Sequence, residues 1–198
     1  ERHTRPSKPE LIITHGPTGS GKTTVAKRLV ELLGAIQIRS DIERRRMFRI
    51  ESELAASGLG AGVDEGIYSP KATQACYERL AELATAVLRS GLSVIVDATF
   101  QTGAQRDLFS EVAAREAAPF RILDFQAERE ILAKRVEARA KIDTDASEAD
   151  LDVLDHQLER MEPPSDRELA RVIVLDARHG PDALAETAAS RLSESERL

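Results

Sequence analysis

The stretch Gly16-Pro17-Thr18-Gly19-Ser20-Gly21-Lys22-Thr23 constrains this chain more than any other, because it fits G-x-x-x-x-G-K-[ST]. Glycines at such positions let the backbone wrap closely around an anion, so that several N–H groups and the start of the next helix face one phosphate. The flanks suit that reading. Leu11, Ile12 and Ile13 form a short apolar run typical of a buried parallel strand. Over Thr23–Leu33, Val25, Ala26, Leu29, Val30 and Leu33 recur at helical spacing until Gly34 breaks the run. Strand, glycine loop and helix therefore follow in the order a phosphate cradle requires. Within it Lys22 brings positive charge to β- and γ-phosphates and Thr23 offers a hydroxyl to Mg²⁺, a small hard cation, while Thr24 continues the helix beside them. The expected ligand is a purine nucleoside triphosphate, Mg-ATP.

Further strands are predicted at Ala35–Ile38, Ser93–Val96, Phe120–Phe125 and Arg171–Leu175. Helical patterns separate them: from Asp41 to Phe48 behind a Ser40 cap, Pro70–Arg89, Ala104–Ala117, Glu128–Lys141, and Leu151–Met161 ahead of Pro163 and Pro164. Strands that alternate with helices predict an α/β, three-layer P-loop NTPase fold with a five-stranded parallel sheet, helices on both faces and a helical lid near 128–150. Residues 51–69 hold Gly58, Gly60, Gly62 and Gly66 among few large apolar groups, and read as a mobile loop or short helices serving as a substrate flap. A chain of 198 residues suits one domain, 10–198, with the basic, proline-containing 1–9 as either a linker to a larger polypeptide or a disordered tail.

Composition narrows the partners. No apolar run approaches the roughly 20 residues that cross a bilayer, and the formal net charge of -6 with 4% aromatic residues disfavours nucleic acid as a ligand. The single Cys76 leaves no internal disulfide or cysteine metal site and fits a reducing, cytoplasmic setting. His3, His15 and His156 are scattered through the chain, so no zinc site is expected.

A phosphate loop does not by itself separate kinases from ATPases, GTPases or motors, so the other strand ends carry the distinction. Asp41 follows the second strand and Asp97 ends the third, both at the sheet's C-terminal edge where such folds bind ligands. Asp41 is the expected base for an acceptor hydroxyl, the alternative being an acid in a helix's first turn, where negative charge is favoured. Asp97 suits either the Mg²⁺ shell, as the acid of a Walker B strand, or the acceptor. Arg135 and Arg139 lie four apart on one helical face and could carry charge to the transferring phosphoryl group when a lid closes, or could belong to a solvated helix. Arg178, in the turn after the fifth strand, is a candidate for contact with the base.

With these residues the chain resembles the small P-loop kinases of the zeta-toxin, polynucleotide-kinase and chloramphenicol-phosphotransferase group. It looks most like the ATP-binding domains of bacterial proteins that carry an aminoglycoside-phosphotransferase-like domain ahead of them. The likeness runs through Arg39-Ser40-Asp41, Ile67-Tyr68 and Val94-Ile95-Val96-Asp97-Ala98-Thr99-Phe100. The resemblance implies that Asp41 acts on the acceptor hydroxyl, that Arg135 and Arg139 serve the phosphates, and that Tyr68, Asp97 and Arg106 lie toward acceptor or phosphate. The expected activity is ATP-dependent phosphoryl transfer to a small hydroxylated molecule, with a nucleic-acid 5′-hydroxyl kinase and a regulatory ATP-binding module as alternatives.

Overall fold

A computed structural model of the chain describes residues 8–56, 69–140 and 148–195, without the side chains of 51–56, 139–140, 148–150 and 195. Five strands, β1 (Leu11–His15), β2 (Ile36–Arg39), β3 (Val94–Asp97), β4 (Phe120–Gln126) and β5 (Val172–Asp176), pair in parallel in the order β2-β3-β1-β4-β5. The helices are α1 (Lys22–Leu33), α2 (Ser40–Ala56), α3 (Pro70–Arg89), α4 (Gly103–Arg115), α5 (Arg129–Ala140), α6 (Glu148–Arg160) and α7 (Pro181–Ser195). This is the three-layer α/β arrangement that the alternation of apolar runs predicts.

Successive strand residues point to opposite faces, which divides one sheet between two cores. Leu11, Ile13, Val94 and Val96 pack with Leu80 of α3 and Phe109 of α4, whereas Ile12, Ile95, Leu123 and Phe125 pack with Leu29 of α1 and Leu184 of α7. Burial on both faces explains why the central strands read as unbroken apolar runs rather than alternating ones. A smaller cluster of Leu132, Val136 and Leu154 joins α5 to α6, so these two helices form a hairpin with its own apolar seam.

Local chemistry sets the helix ends. The Ser69 hydroxyl accepts the Ala72 N–H at 3.2 Å with Pro70 opening α3, and Thr102 and Gln105 exchange side-chain and backbone bonds at the start of α4. Two elements depart from the sequence expectation. Helix α2 continues through Ala56, past Phe48 and into the expected flap, whose residues 57–68, Tyr68 included, lie outside those described. Helix α7 was not anticipated. It buries Leu184, Ala185, Ala188 and Leu192, an alanine-rich stripe whose amphipathic pattern is weak, although Pro181 and Asp182 are ordinary helix-start residues.

Parallel pairing puts all strand C-termini on one edge, and the register there sets Arg39 opposite Asp97 and His15 opposite Asp124. Behind that edge, Phe100 has a left-handed backbone (φ 48°), an uncommon state for a bulky residue. Three interactions hold it. Its ring meets Tyr77 and Phe109 edge-on at 5.2 and 5.0 Å, its N–H donates to the Tyr77 hydroxyl at 3.0 Å, and its carbonyl accepts from Arg106 at 3.1 Å.

Arg106 corrects an expectation drawn from the family resemblance. Its side chain is only 1% exposed, and its five bonds use the five N–H donors that a guanidinium has: two to Glu168 and one each to the carbonyls of Phe100, Glu162 and Pro163. No donor remains for a phosphate or an acceptor. Arg106 is instead a clamp that fastens the segment after α6 to the β3–α4 connection. Burial alone would raise the Glu168 carboxyl, but Arg106 and the N–H and hydroxyl of Ser165 hold it down to about 2.

Breaking a buried ion pair costs about 3 to 5 kcal/mol, so Glu168→Gln should lower stability at pH 7 toward that range in urea denaturation. Because the folded-state pKa of Glu168 is depressed, its contribution is fully present above the unfolded value near 4.5 and is lost as pH falls toward about 2. The gap between parent and variant should narrow over that window; a gap independent of pH would remove Glu168 as its source.

Candidate functional site

The phosphate loop is held on three sides by backbone. Gly16, Gly19 and Gly21 all have positive φ (140°, 78° and 92°). A Cβ on Gly16 would lie 2.8 Å from the Phe125 carbonyl oxygen, and one on Gly19 would lie 2.9 Å from that of Leu132 in α5. The Gly16 N–H donates to the Thr99 carbonyl at 3.2 Å, and Thr14 exchanges two bonds with Ala98, which ties the loop to the end of β3. Lys22 folds over the loop, with Nζ 2.6 Å from the Pro17 carbonyl and 3.3 Å from the Ser20 hydroxyl. Gly21 precedes α1 without a side-chain cap and no acidic residue stands in the first turn, so the helix's N-terminal N–H groups face the cavity above the loop. That cavity measures about 370 Å³. Its floor is Thr18–Val25, and Arg135, His179, Pro181 and Leu184 form its far wall.

The two candidate carboxylates stand in different environments. Asp97, 5% exposed, accepts from Gln37 Nε2 at 3.0 Å. Burial pushes its pKa above the ordinary value against the Thr23 hydroxyl and the charges of Lys22 and Arg39 close by, and the nearby Asp41 adds to the rise. Asp41, whose side chain is 45% exposed, is gripped by the Arg39 fork, Nε to Oδ1 at 3.1 Å and a terminal nitrogen to Oδ2 at 2.8 Å, with Arg45 3.8 Å away. The Arg39–Asp97 register thus brings both acids to one edge, where Asp97 faces Thr23 and Lys22 and Asp41 opens to solvent. Beneath the loop, the buried His15 ring meets Asp124 through Nδ1 at 2.6 Å, and Gln126 donates to the other Asp124 oxygen at 2.7 Å.

The α5–α6 hairpin meets the loop at two adjacent residues. Arg135 on α5 donates to the Ala177 carbonyl at 2.6 Å and to the Gly19 carbonyl at 3.5 Å, and on α6 the Gln157 side-chain oxygen accepts the Thr18 N–H at 2.7 Å. An exposed Arg129–Asp155 fork links the two helices. Arg139 lies one turn beyond Arg135 on α5, and its side chain falls outside the described set. Thr24 lines the cavity from the first turn of α1. Arg178 is near the cavity but turned back on Asp176, which takes three bonds from its guanidinium and has its pKa lowered to about 2 by them. From that turn it is His179 and Pro181 that reach the cavity wall.

Sequence reasoning missed Gln37, Arg39 as the holder of Asp41, His179 and Gln157. Gln37 and Arg39 carry a readable signal, since both precede Asp41 on the strand whose end was singled out. Gln157 carries none, because its partner stands 139 residues away.

The AAA domain family (AAA_33) matches residues 11–164. Curated relatives from Mycobacterium tuberculosis (uncharacterized protein Rv2004c) and Mycobacterium bovis (uncharacterized protein Mb2027c) are 30% identical over 146 residues, 74% of this chain and 29% of theirs. The chain therefore spans less than a third of the length of those relatives. Among solved structures, a gluconokinase from Sinorhizobium meliloti superposes with a TM-score of 0.68 at 20% identity over 96% of each chain. A sugar kinase from Janibacter sp. does so with 0.68 at 23% over 93% of this chain and 95% of that one. The Mycobacterium tuberculosis APS kinase CysC, in complex with AMPPNP and APS, gives 0.66 at 18% over 95% and 99%. These likenesses share the fold, a three-layer α/β arrangement. Matched from β1 to the segment beyond α6, this chain belongs to the AAA domain family.

Proposed function

We propose that this chain is an ATP-dependent phosphotransferase that moves the γ-phosphoryl group of Mg-ATP to a hydroxyl of a small acceptor. The observation that carries the reading is the sorting of two acids at one sheet edge: Asp97 buried beside Thr23 and Lys22, and Asp41 set apart toward solvent. A nucleotide hydrolase needs an acid of the first kind, whereas an acid of the second kind suits an enzyme that also binds and deprotonates an acceptor. The APS kinase that shares this fold was solved with AMPPNP and APS, which is consistent with a nucleotide over the loop and an acceptor beside it.

In this reading the loop Gly16–Thr23 holds the phosphates through the N–H groups that Thr99, Gln157 and Pro17 do not take up and through the start of α1, and Lys22 leaves the Pro17 carbonyl for the β- and γ-oxygens. The adenine lies toward Ala177–Pro181, beside Arg178. The acceptor oxygen attacks the γ-phosphorus, its proton passes to Asp41, and the bond to the β–γ bridging oxygen breaks to release ADP. Arg39 keeps the Asp41 carboxylate oriented. Arg135, with Arg139 behind it, brings lid charge to the phosphates. Thr23 and Asp97 are hard oxygen donors close to each other and to Lys22, which fits Mg²⁺; when bound, the ion would neutralise phosphate charge. Tyr68 belongs to the acceptor side, and the chain works as one domain within a longer polypeptide, as the length of its relatives suggests. Arg44, Arg45, Arg46 and Arg49 follow Asp41 on α2, with Arg45 3.8 Å from it, and favour a second reading in which the acceptor is the 5′-hydroxyl of a nucleic acid. A panel of acceptors with γ-labelled ATP, scored for transfer against plain hydrolysis, separates these readings.

Lys22→Ala should weaken ATP binding by roughly tenfold to a hundredfold, the worth of a charged hydrogen bond, while thermal unfolding stays near that of the parent. Parental affinity and turnover in the folded variant would remove Lys22 from the site.

Asp41→Asn should keep folding and ATP binding, because the amide oxygen still accepts from Arg39. Phosphoryl transfer should fall by roughly 10² to 10⁴, as for a lost general base, with background hydrolysis falling less. Transfer at the parental rate would shift the base to Asp97.

A further inference from the structure

The phosphate loop leaves the sheet at a buried polar pair. His15 closes β1, and the register sets it opposite Asp124, the last position at which β1 and β4 are matched. Beyond it the chain turns off as the loop. What joins the two strands at that point is a side-chain bond: His15 Nδ1 lies 2.6 Å from Asp124 Oδ1, and Gln126 donates to the other Asp124 oxygen at 2.7 Å. A carboxylate can only accept, so the ring donates through Nδ1. Both residues are 4% exposed, so water does not dilute the bond as it does a surface pair. One residue farther along each strand comes the tight approach of Gly16 to the Phe125 carbonyl, 2.8 Å from where a Cβ would stand. On its other flank Gly16 is held by backbone, through its N–H to the Thr99 carbonyl. The root of the loop is thus slung between β3, by backbone, and β4, by one side-chain pair.

The second ring nitrogen, Nε2, is buried and has no hydrogen-bond partner among the described residues. The hydrogen bonding of the ring therefore runs through Nδ1 alone. The cavity above the loop is lined from Thr18 onward, and by strand alternation His15 shares the face of Leu11 and Ile13, which pack toward α3 and α4 and away from α1. Any effect of His15 on a bound phosphate must accordingly pass through the loop.

We propose that His15 is a positioning residue of the phosphate site: by donating Nδ1–H to Asp124 it holds Gly16 against β4 and so sets the arrangement of the loop N–H groups. This rests on the nucleotide reading above and deepens it. A preformed loop binds an anion without first having to order itself, so releasing its root lowers affinity for phosphates rather than for a base. The two ring nitrogens make this role separable from packing. Asparagine carries its amide nitrogen where Nδ1 stands, and glutamine carries its own farther out, where the idle Nε2 stands.

The test measures binding of Mg-ADP and of inorganic tripolyphosphate by calorimetry to the parent chain, His15→Asn, His15→Gln, His15→Leu and Lys22→Ala, with thermal melts as the control for folding. His15→Asn should bind both ligands within about threefold of the parent, whereas folded His15→Gln and His15→Leu should lose roughly tenfold for both, the worth of one charged hydrogen bond. A lowered melting temperature with parental affinity in Gln and Leu would make the pair a packing feature and overturn the proposal. Equal loss in Asn and Gln would overturn it too, since the Nδ1 donor would then not be what counts, and so would a loss confined to ADP, which would lie at the base. If the Leu variant, which strands the Asp124 charge, does not fold, the comparison of Asn with Gln decides alone. If the parent bound neither ligand, the nucleotide reading would fall and the His15 role with it, whereas binding by the parent that Lys22→Ala weakens keeps that reading standing whichever way His15 falls.

Discussion

The close approach of backbone to backbone at Gly16 and Gly19 governs the rest of this structure. At both positions the carbonyl oxygen of another element stands under 3 Å from where a Cβ would be, so the loop can lie there only because the side chains are missing. One contact comes from β4 in the sheet and the other from α5 in the α5–α6 hairpin. The glycines therefore do more than permit a turn: they let the sheet and the hairpin close on the loop from opposite sides. A loop so confined holds its N–H groups in one arrangement, and a preformed arrangement binds an anion without first having to order itself.

That confinement extends to the end of β3, where the C-terminal edge of the sheet and the core share a single connection. Asp97 leads through Ala98 and Thr99 to Phe100, and each of the last three is bonded to a neighbour: Ala98 to Thr14, Thr99 to Gly16, Phe100 to Tyr77 and Arg106. A left-handed phenylalanine persists only where its surroundings over-determine it, and the aromatic trio with the Arg106 clamp does so here. Arg106 thus reaches the phosphate loop without touching a ligand, along Phe100 and Thr99 to Gly16. Its bonds to Glu162, Pro163 and Glu168 bring the segment that follows α6 under the same clamp.

How much of this the sequence discloses depends on the range of the interactions. The phosphate loop is legible because its chemistry is local: eight consecutive residues carry the turn, the cation and the hydroxyl. The strand ends are legible because parallel sheets collect them on one edge, so Asp41 and Asp97 could be picked out by position alone. Arg106 looks from the sequence like a charge near a site, since its partners Glu162, Pro163 and Glu168 lie 56 to 62 residues away. Gln157 is hidden for the same reason. Helix α7 is missed for a different one: alanine packs as well as leucine in a tight seam against α1 but leaves a faint periodicity. The Arg178–Asp176 pair is the local exception. Two residues apart with opposite charge at a strand end, it could have been read as an internal bond rather than as a hand extended to a base.

The two acids show why one fold edge can serve two tasks. Asp97 is buried beside Thr23, Gln37 and Lys22, where desolvation raises its pKa while Thr23, Lys22 and Arg39 favour its charge. Asp41 stands three positions past the strand residue Ile38, half in solvent, and its charge is met by Arg39 and Arg45 rather than by the loop. Arg39 has a hand in both environments, bonded to Asp41 while its charge acts on Asp97. The buried Asp97 and the solvent-facing Asp41 are thus joined by one guanidinium.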